Sequence, residues 1–140
     1  MGRSGPDGGT LSAVLEAAER LQARLETALV EVGLSISKFD AMDQLMMADD
    51  PLTLGELAAR LQCVRSNITQ LVDRLESEGL VKRGSCSEDR RAVRAMVTPV
   101  GRERHAAGVT AIRAVQAELA GKLGVDDRER LVRLLGAAVG

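Results

Sequence analysis

Between Leu11 and Val32, apolar residues recur three and four positions apart. Val14, Ala18, Leu21, Leu25, Ala28 and Val32 form the series, with Glu16, Glu19, Arg20 and Glu26 between them. That period predicts an amphipathic helix. Its apolar seam is narrow for its length, which fits helix-on-helix association between chains as well as packing within one chain. Gly33 ends the helix, and Ser35 or Ser37 is placed to cap a second one carrying Phe39, Met42, Leu45 and Met46. Pro51 stops that helix, because it disfavours helical backbone in the residue before it.

The stretch LTLGELAARLQ predicts a short helix over 53–61. Thr53 and Glu56 stand at capping-box spacing, with Leu52 and Leu57 at the staple positions, and Leu57, Ala58 and Leu61 face a core. Gln62, Cys63 and Val64 then lead into RSNITQLVDRLESEGL. Ile68, Leu71, Val72 and Leu75 make one buried stripe there, and Gly79 with Leu80 fits a Schellman end. Two helices joined by so tight a turn form a helix-turn-helix. The polar side of the second carries Arg65, Ser66, Asn67, Gln70, Asp73 and Arg74, with Thr69 at its border. These include the side-chain types that read base edges in a major groove, although a solvated helix face has the same composition.

Leu80–Arg83 and Val93–Val97 alternate around a polar, turn-rich centre, which predicts a β-hairpin with Asp89, Arg90 and Arg91 at its basic tip. Thr98-Pro99 restarts helix, as N-cap and N1, to about Leu119 or beyond. A last helix is expected from Asp126, capped with Glu129 and burying Leu131, Leu134, Leu135 and Ala138. The first helix and these last two lie outside the helix-turn-helix and are expected to form a separate helical layer.

Composition sharpens this picture. The chain has 140 residues, 45% of them apolar, but one Phe and no Trp or Tyr, so its core is built from Leu, Val, Ala and Met. That suits packed helices in a single domain. The net charge of −1 hides a segregation: residues 1–59 hold 4 basic and 10 acidic side chains, whereas residues 60–104 hold 10 basic and 6 acidic. The positive excess surrounds the helix-turn-helix and hairpin, where it would matter to a polyanionic partner. Residues 1–10 read as a disordered Gly-rich tail with no apolar leader, in a cytoplasmic protein without a membrane span. No Ser/His/Asp set assembles credibly around the single His105, one histidine cannot make a multi-histidine metal site, and no glycine loop cradles phosphate. No enzyme activity, cofactor or metal is expected.

The segment LTLGELAARLQCVRSNITQLVDRLESEGLVKRGSCSEDRRAVRAMVTPVGRE resembles the MarR (multiple antibiotic resistance regulator) family of bacterial transcription factors. The resemblance is strong over about residues 34–104 and extends to the flanking helices by layout. Its sharpest part is the wing signature, Asp89-x-Arg91 followed after five residues by Val97-Thr98, with Val where the family usually has Leu. The resemblance implies a mainly α fold with a small β-hairpin wing, in which a winged helix-turn-helix is flanked by dimerisation helices. The expected divisions are dimerisation helix 1 over 11–33, a DNA-binding lobe over 34–98 with recognition helix 65–78 and wing 80–98, and dimerisation helices over 99–140. It also implies a homodimer on double-stranded DNA, most often a repressor released from a pseudo-palindromic operator by a small ligand. Carried over by position, Arg65, Ser66, Asn67, Thr69 and Gln70 contact DNA from the recognition helix. Arg91 enters the minor groove, Asp89 shapes the wing turn, and Arg90 or Arg74 meets phosphate.

Several positions keep two readings. Val64 stands where the family usually opens its recognition helix with Ser, so Ser66 either caps a helix begun two residues late or reads bases. Cys63 is expected to be a small core residue, although a thiol near a helix N-terminus is made more reactive. With Cys86 near the wing tip, it leaves a redox-responsive regulator as an alternative, as is a winged helix that docks on protein. His105 is expected to be a partly exposed packing residue. Phe39, Met42 and Met46 either line an effector pocket or belong to the core.

Overall fold

A computed structural model describes residues 9–86 and 89–140, and the side chains of these apart from 86–92. Among the described residues, six helices and three strands follow one another: α1 (Gly9–Glu31), α2 (Ile36–Met47), β1 (Leu52–Thr53), α3 (Leu54–Leu61), α4 (Arg65–Ser77), β2 (Val81–Cys86), β3 (Asp89–Val97), α5 (Pro99–Lys122) and α6 (Val125–Val139). Gly9 and Thr10, assigned above to the tail, are already helical; the rest of that tail lies outside the described residues.

Most helix ends follow local chemistry. Ser35 Oγ accepts the Lys38 amide at 3.1 Å to open α2. Thr53 and Glu56 complete both halves of the capping box on α3. Thr98 Oγ1 takes the Gly101 amide at 3.0 Å above Pro99 in α5. The end of α4 is a Schellman motif: Gly79 has φ +75°, its amide reaches Glu76 O (3.0 Å), and the Leu80 amide reaches Leu75 O (2.9 Å). The expected cap of α6 is absent. Gly124 is its N-cap without a side-chain hydrogen bond, and Asp126 and Asp127 sit inside the first turn. There they favour the helix through its dipole instead.

The sheet has the order β1-β3-β2, all antiparallel. The hairpin strands run further into the polar centre than alternation indicated. Register holds from Val81↔Val97 to Ser85↔Val93, then shifts at Ser85/Cys86 before Cys86↔Asp89. Backbone pairing needs no apolar face where a strand projects into solvent, so alternation understates its length. The two-residue β1 pairs Leu52 with Ala95 and was not legible, because two residues carry no period.

One core joins the C-terminal end of α1 (Ala28, Leu29), α2 (Ala41, Met42, Leu45), α3 (Leu54, Leu57, Ala58), α4 (Ile68, Val72, Leu75) and the sheet (Leu52, Val81, Ala95). Leu34 and Leu80 complete it from the loops. The expected burial of α6 does not occur within the chain: Leu131, Leu134, Leu135 and Ala138 are exposed, as are Val14 and Leu21 of α1. Arg24 of α1 clasps Glu118 of α5 through Nε–Oε2 (3.0 Å) and Nη2–Oε1 (2.5 Å). That hydrogen-bonded pairing raises the arginine pKa and lowers that of the glutamate, but both groups are open to solvent, where such pairs add little stability.

Candidate nucleic-acid interface

The turn that aims α4 begins at Gln62, the C-cap of α3, in the left-handed region at φ +53°. Its amide bonds to Ala58 O and Ala59 O, which helps a non-glycine residue hold this conformation. Cys63 and Val64 complete the turn. Val64 is the N-cap of α4, with no side-chain hydrogen bond and with 62% of its surface exposed. Ser66 therefore does not cap the helix; it lies in the exposed first turn. Replacing Val64 by Ser should supply the missing cap and raise stability by about 1 kcal/mol, seen as a melting point higher by a few degrees. An unchanged melting point would mean that water already serves the first-turn amides equally well.

Arg65, Ser66, Asn67, Gln70 and Arg74 are exposed on α4, while Ile68, Val72 and Leu75 anchor the opposite side. Thr69 is different: half-buried, its hydroxyl donates back to Arg65 O at 3.0 Å, which occupies its proton within the helix. Asn67, Gln70 and Arg74 line a cleft of about 360 Å³ with Ser37 and Asp40 of α2 and Cys63 of the turn. Burial, then the neighbouring Asp43, pushes the Asp40 carboxyl above its ordinary pKa, although much of that residue remains open to solvent. Cys63 corrects the expectation of a core thiol. It is free and exposed, because the turn residue faces outward between the two helices, and its Sγ lies 3.5 Å from Leu61 O.

The strands of the wing are in place, but the side chains of Cys86, Asp89, Arg90 and Arg91 lie outside the described residues. At the wing's base, two arginines not singled out by sequence bind it to the helices. Arg83 of β2 pairs with Asp73 of α4, and its backbone amide donates to Glu76 Oε2 at 3.0 Å. Arg94 of β3 donates to Pro51 O at 3.1 Å and lies 3.8 Å from Glu56. Lys38 of α2 meets Glu78 just beyond α4 at 2.9 Å. Charge pairs with strand or loop partners carry no fixed sequence spacing, so nothing in the chain marked them beforehand.

His105 of α5 is a partly exposed packing residue, as expected. Its ring stacks on Phe39 (centroids 4.8 Å apart, planes 6° apart) and Nε2 lies 2.9 Å from Asp43 Oδ1. Phe39 is thus half-buried at the α2–α5 seam, Met42 is fully buried in the core and Met46 is exposed, so the three do not share one environment. Among the described residues, no group of three or more His, Cys, Asp or Glu is placed to hold a metal ion, and no helix is long and apolar enough to cross a membrane.

The helix-turn-helix, the three-stranded sheet and the flanking long helices together define a winged helix-turn-helix protein. Residues 32–92 of the chain match the family model of the MarR family, so the chain is similar to that family over this stretch. Over 88 residues it is 34% identical to the HTH-type transcriptional regulator PrsX of Escherichia coli, covering 62% of this chain and 53% of the relative. The chain thus spans about half the length of the curated relatives it matches. Among solved structures it is similar to the transcriptional repressor CouR bound to a 23-mer DNA duplex, at 26% identity and TM-score 0.82, over 98% of this chain and 100% of that one. A mutant MarR from E. coli complexed with operator DNA has the same fold, with 22% identity, TM-score 0.79 and coverage of 96% and 95%.

Proposed function

We propose that the chain is a homodimeric, sequence-specific regulator of transcription, a repressor released from a pseudo-palindromic DNA operator by a small ligand. The observation that carries this is the exposed row Ser66, Asn67, Gln70 and Arg74 on a helix anchored by core residues and ended by a Schellman motif. Such a helix presents base-reading side chains at little cost in ordering. CouR, the repressor bound to duplex DNA, supports the same use of this fold.

In this reading α4 lies in a major groove, and the wing carries Arg91 to the adjacent minor groove, where the negative potential is concentrated. Arg65 and Arg74 flank the reading face, with Arg74 or Arg90 on phosphate; Thr69 contributes its methyl and acceptor oxygen. Two-fold symmetry sets the half-sites about 10 bp apart. The effector part of the reading centres on α2. His105 and Phe39 join α5 to α2 there, so a ligand separating those rings would move the reading lobe against the helical layer.

The test is selection of bound duplexes from a random library, then titration of the enriched sequence at two salt concentrations. A pseudo-palindrome should emerge, bound with steep salt dependence as counterions leave the phosphates. Arg91→Ala should weaken binding at least tenfold with the fold intact. Asn67→Ala and Gln70→Ala should each relax preference by about 1–3 kcal/mol at one position per half-site. Equal losses on every sequence would remove the base-reading role. Weak, salt-insensitive binding without enrichment would turn the reading towards a protein partner.

A further inference from the structure

We propose that Arg83, Asp73 and Glu76 form a clamp that sets the wing against the recognition helix, so that Asp73 supports DNA binding although its charge opposes it. This rests on the DNA-reading function proposed above. β2 is an edge strand, so the N–H groups on its free side need partners from elsewhere. Glu76 supplies one by accepting the Arg83 amide at 3.0 Å. The Arg83 side chain turns back over α4, where Nη2 meets the Asp73 carboxylate and lies 3.4 Å from the Thr69 carbonyl. Thr69, Asp73 and Glu76 are spaced four and three residues apart, so they share the helix face that looks onto the strand.

Arg83 is therefore held rather than offered. Only 26% of its side chain is exposed, and its Nε is enclosed without a hydrogen-bond partner among the described residues. Asp73 is 56% exposed and lies about one turn from Gln70. The strand residues between Arg83 and the tip span about 10 Å at ~3.3 Å each. A rotation of roughly 10° about the clamp would thus move the tip by about 2 Å, enough to break hydrogen bonds whose useful range is a few tenths of an ångström. Arg83 and Asp73 act here as positioning residues, through the wing and α4, without touching DNA.

Charge alone predicts the opposite for Asp73: removing an anion beside a polyanion strengthens binding at every sequence. The deciding experiment titrates the enriched operator and a shuffled duplex with wild type, Asp73→Ala, Arg83→Met and the double variant, at two salt concentrations. The clamp predicts about tenfold weaker operator binding for either single variant and little further loss in the double, because the two side chains share one interaction. Asp73→Ala should keep the wild-type salt slope and bind the shuffled duplex at least as well as wild type. Operator binding by Asp73→Ala as tight as wild type or tighter would overturn the clamp. So would losses that multiply in the double variant, or a salt slope about one unit shallower in Arg83→Met, which would make Arg83 a phosphate contact. If Arg83→Met melts early, the exposed Asp73→Ala carries the test alone. Failure of the wild type to select any sequence would overturn the DNA-reading function and the clamp together, whereas a selected operator with an indifferent Asp73→Ala removes only the clamp.

Discussion

Gly101→Ala is expected to lower the melting point by roughly 10 °C, a loss of about 3 kcal/mol, despite putting the best helix former into a helix. A Cβ built on Gly101 would lie 2.1 Å from Leu80 O and 2.7 Å from Val97 Cγ1. The carbonyl cannot swing aside cheaply, because it accepts the Thr98 amide at 3.0 Å while Thr98 Oγ1 donates to Gly79 O at 2.6 Å. The helix-propensity gain of about 1 kcal/mol is smaller than the cost of parting these groups. The same contact joins the turn after α4 to the beginning of α5, so on the proposed DNA-reading function the variant should also lose operator affinity. Thermal melting and urea titration read the first effect. A variant as stable as wild type would show that α5 slides away from the α4 turn without penalty.

The second large effect concerns assembly. On the homodimeric, DNA-reading function proposed above, the paired substitution Leu131→Glu and Leu135→Glu in α6 is expected to yield monomers and to weaken operator binding by about two orders of magnitude or more, because linkage of the two half-sites is lost. Each leucine is 39% exposed in the single chain, and α6 contributes no buried residue to its own core. The substitutions therefore leave the core of one chain untouched. Covering the remaining surface of these leucines against a second copy would contribute about 1 kcal/mol each, and more for the more exposed Val132, Leu134 and Val139 beside them. Sedimentation of both proteins checks the outcome. A doubly substituted protein that remains dimeric would place the interface elsewhere, with the exposed Leu11, Leu15 and Leu21 of α1 the next surface to alter.

Much of the architecture was open to reading because it is set by contacts close in sequence. The capping box of Thr53 and Glu56, the Thr98-Pro99 start and the Gly79-Leu80 end each need only four to six neighbouring residues. The stripe Ile68, Val72 and Leu75 likewise fixes which face of α4 is buried, and so which side chains remain outside. The misses have the opposite character. Cys63 is exposed because of the direction a left-handed Gln62 gives the turn, while the same small thiol would suit a core elsewhere. Ser66 was ambiguous because a serine near a helix start can cap or remain free, and only the backbone at Val64 decides where that helix begins.

By itself the sequence determined six helices, the hairpin, the helix-turn-helix and the identity of the polar row on α4, since helical and strand periods and end signals are local properties. Only the tertiary structure decided that Arg83 is drawn to Asp73 and Glu76, that His105 stacks on Phe39, and that Gly101 lies against the Leu80 carbonyl. It also decided that the apolar side of α6 is only partly covered in its own chain. These contacts join elements separated by loops, and nothing in residue spacing encodes the angle at which one element meets another; packing of the shared core sets it.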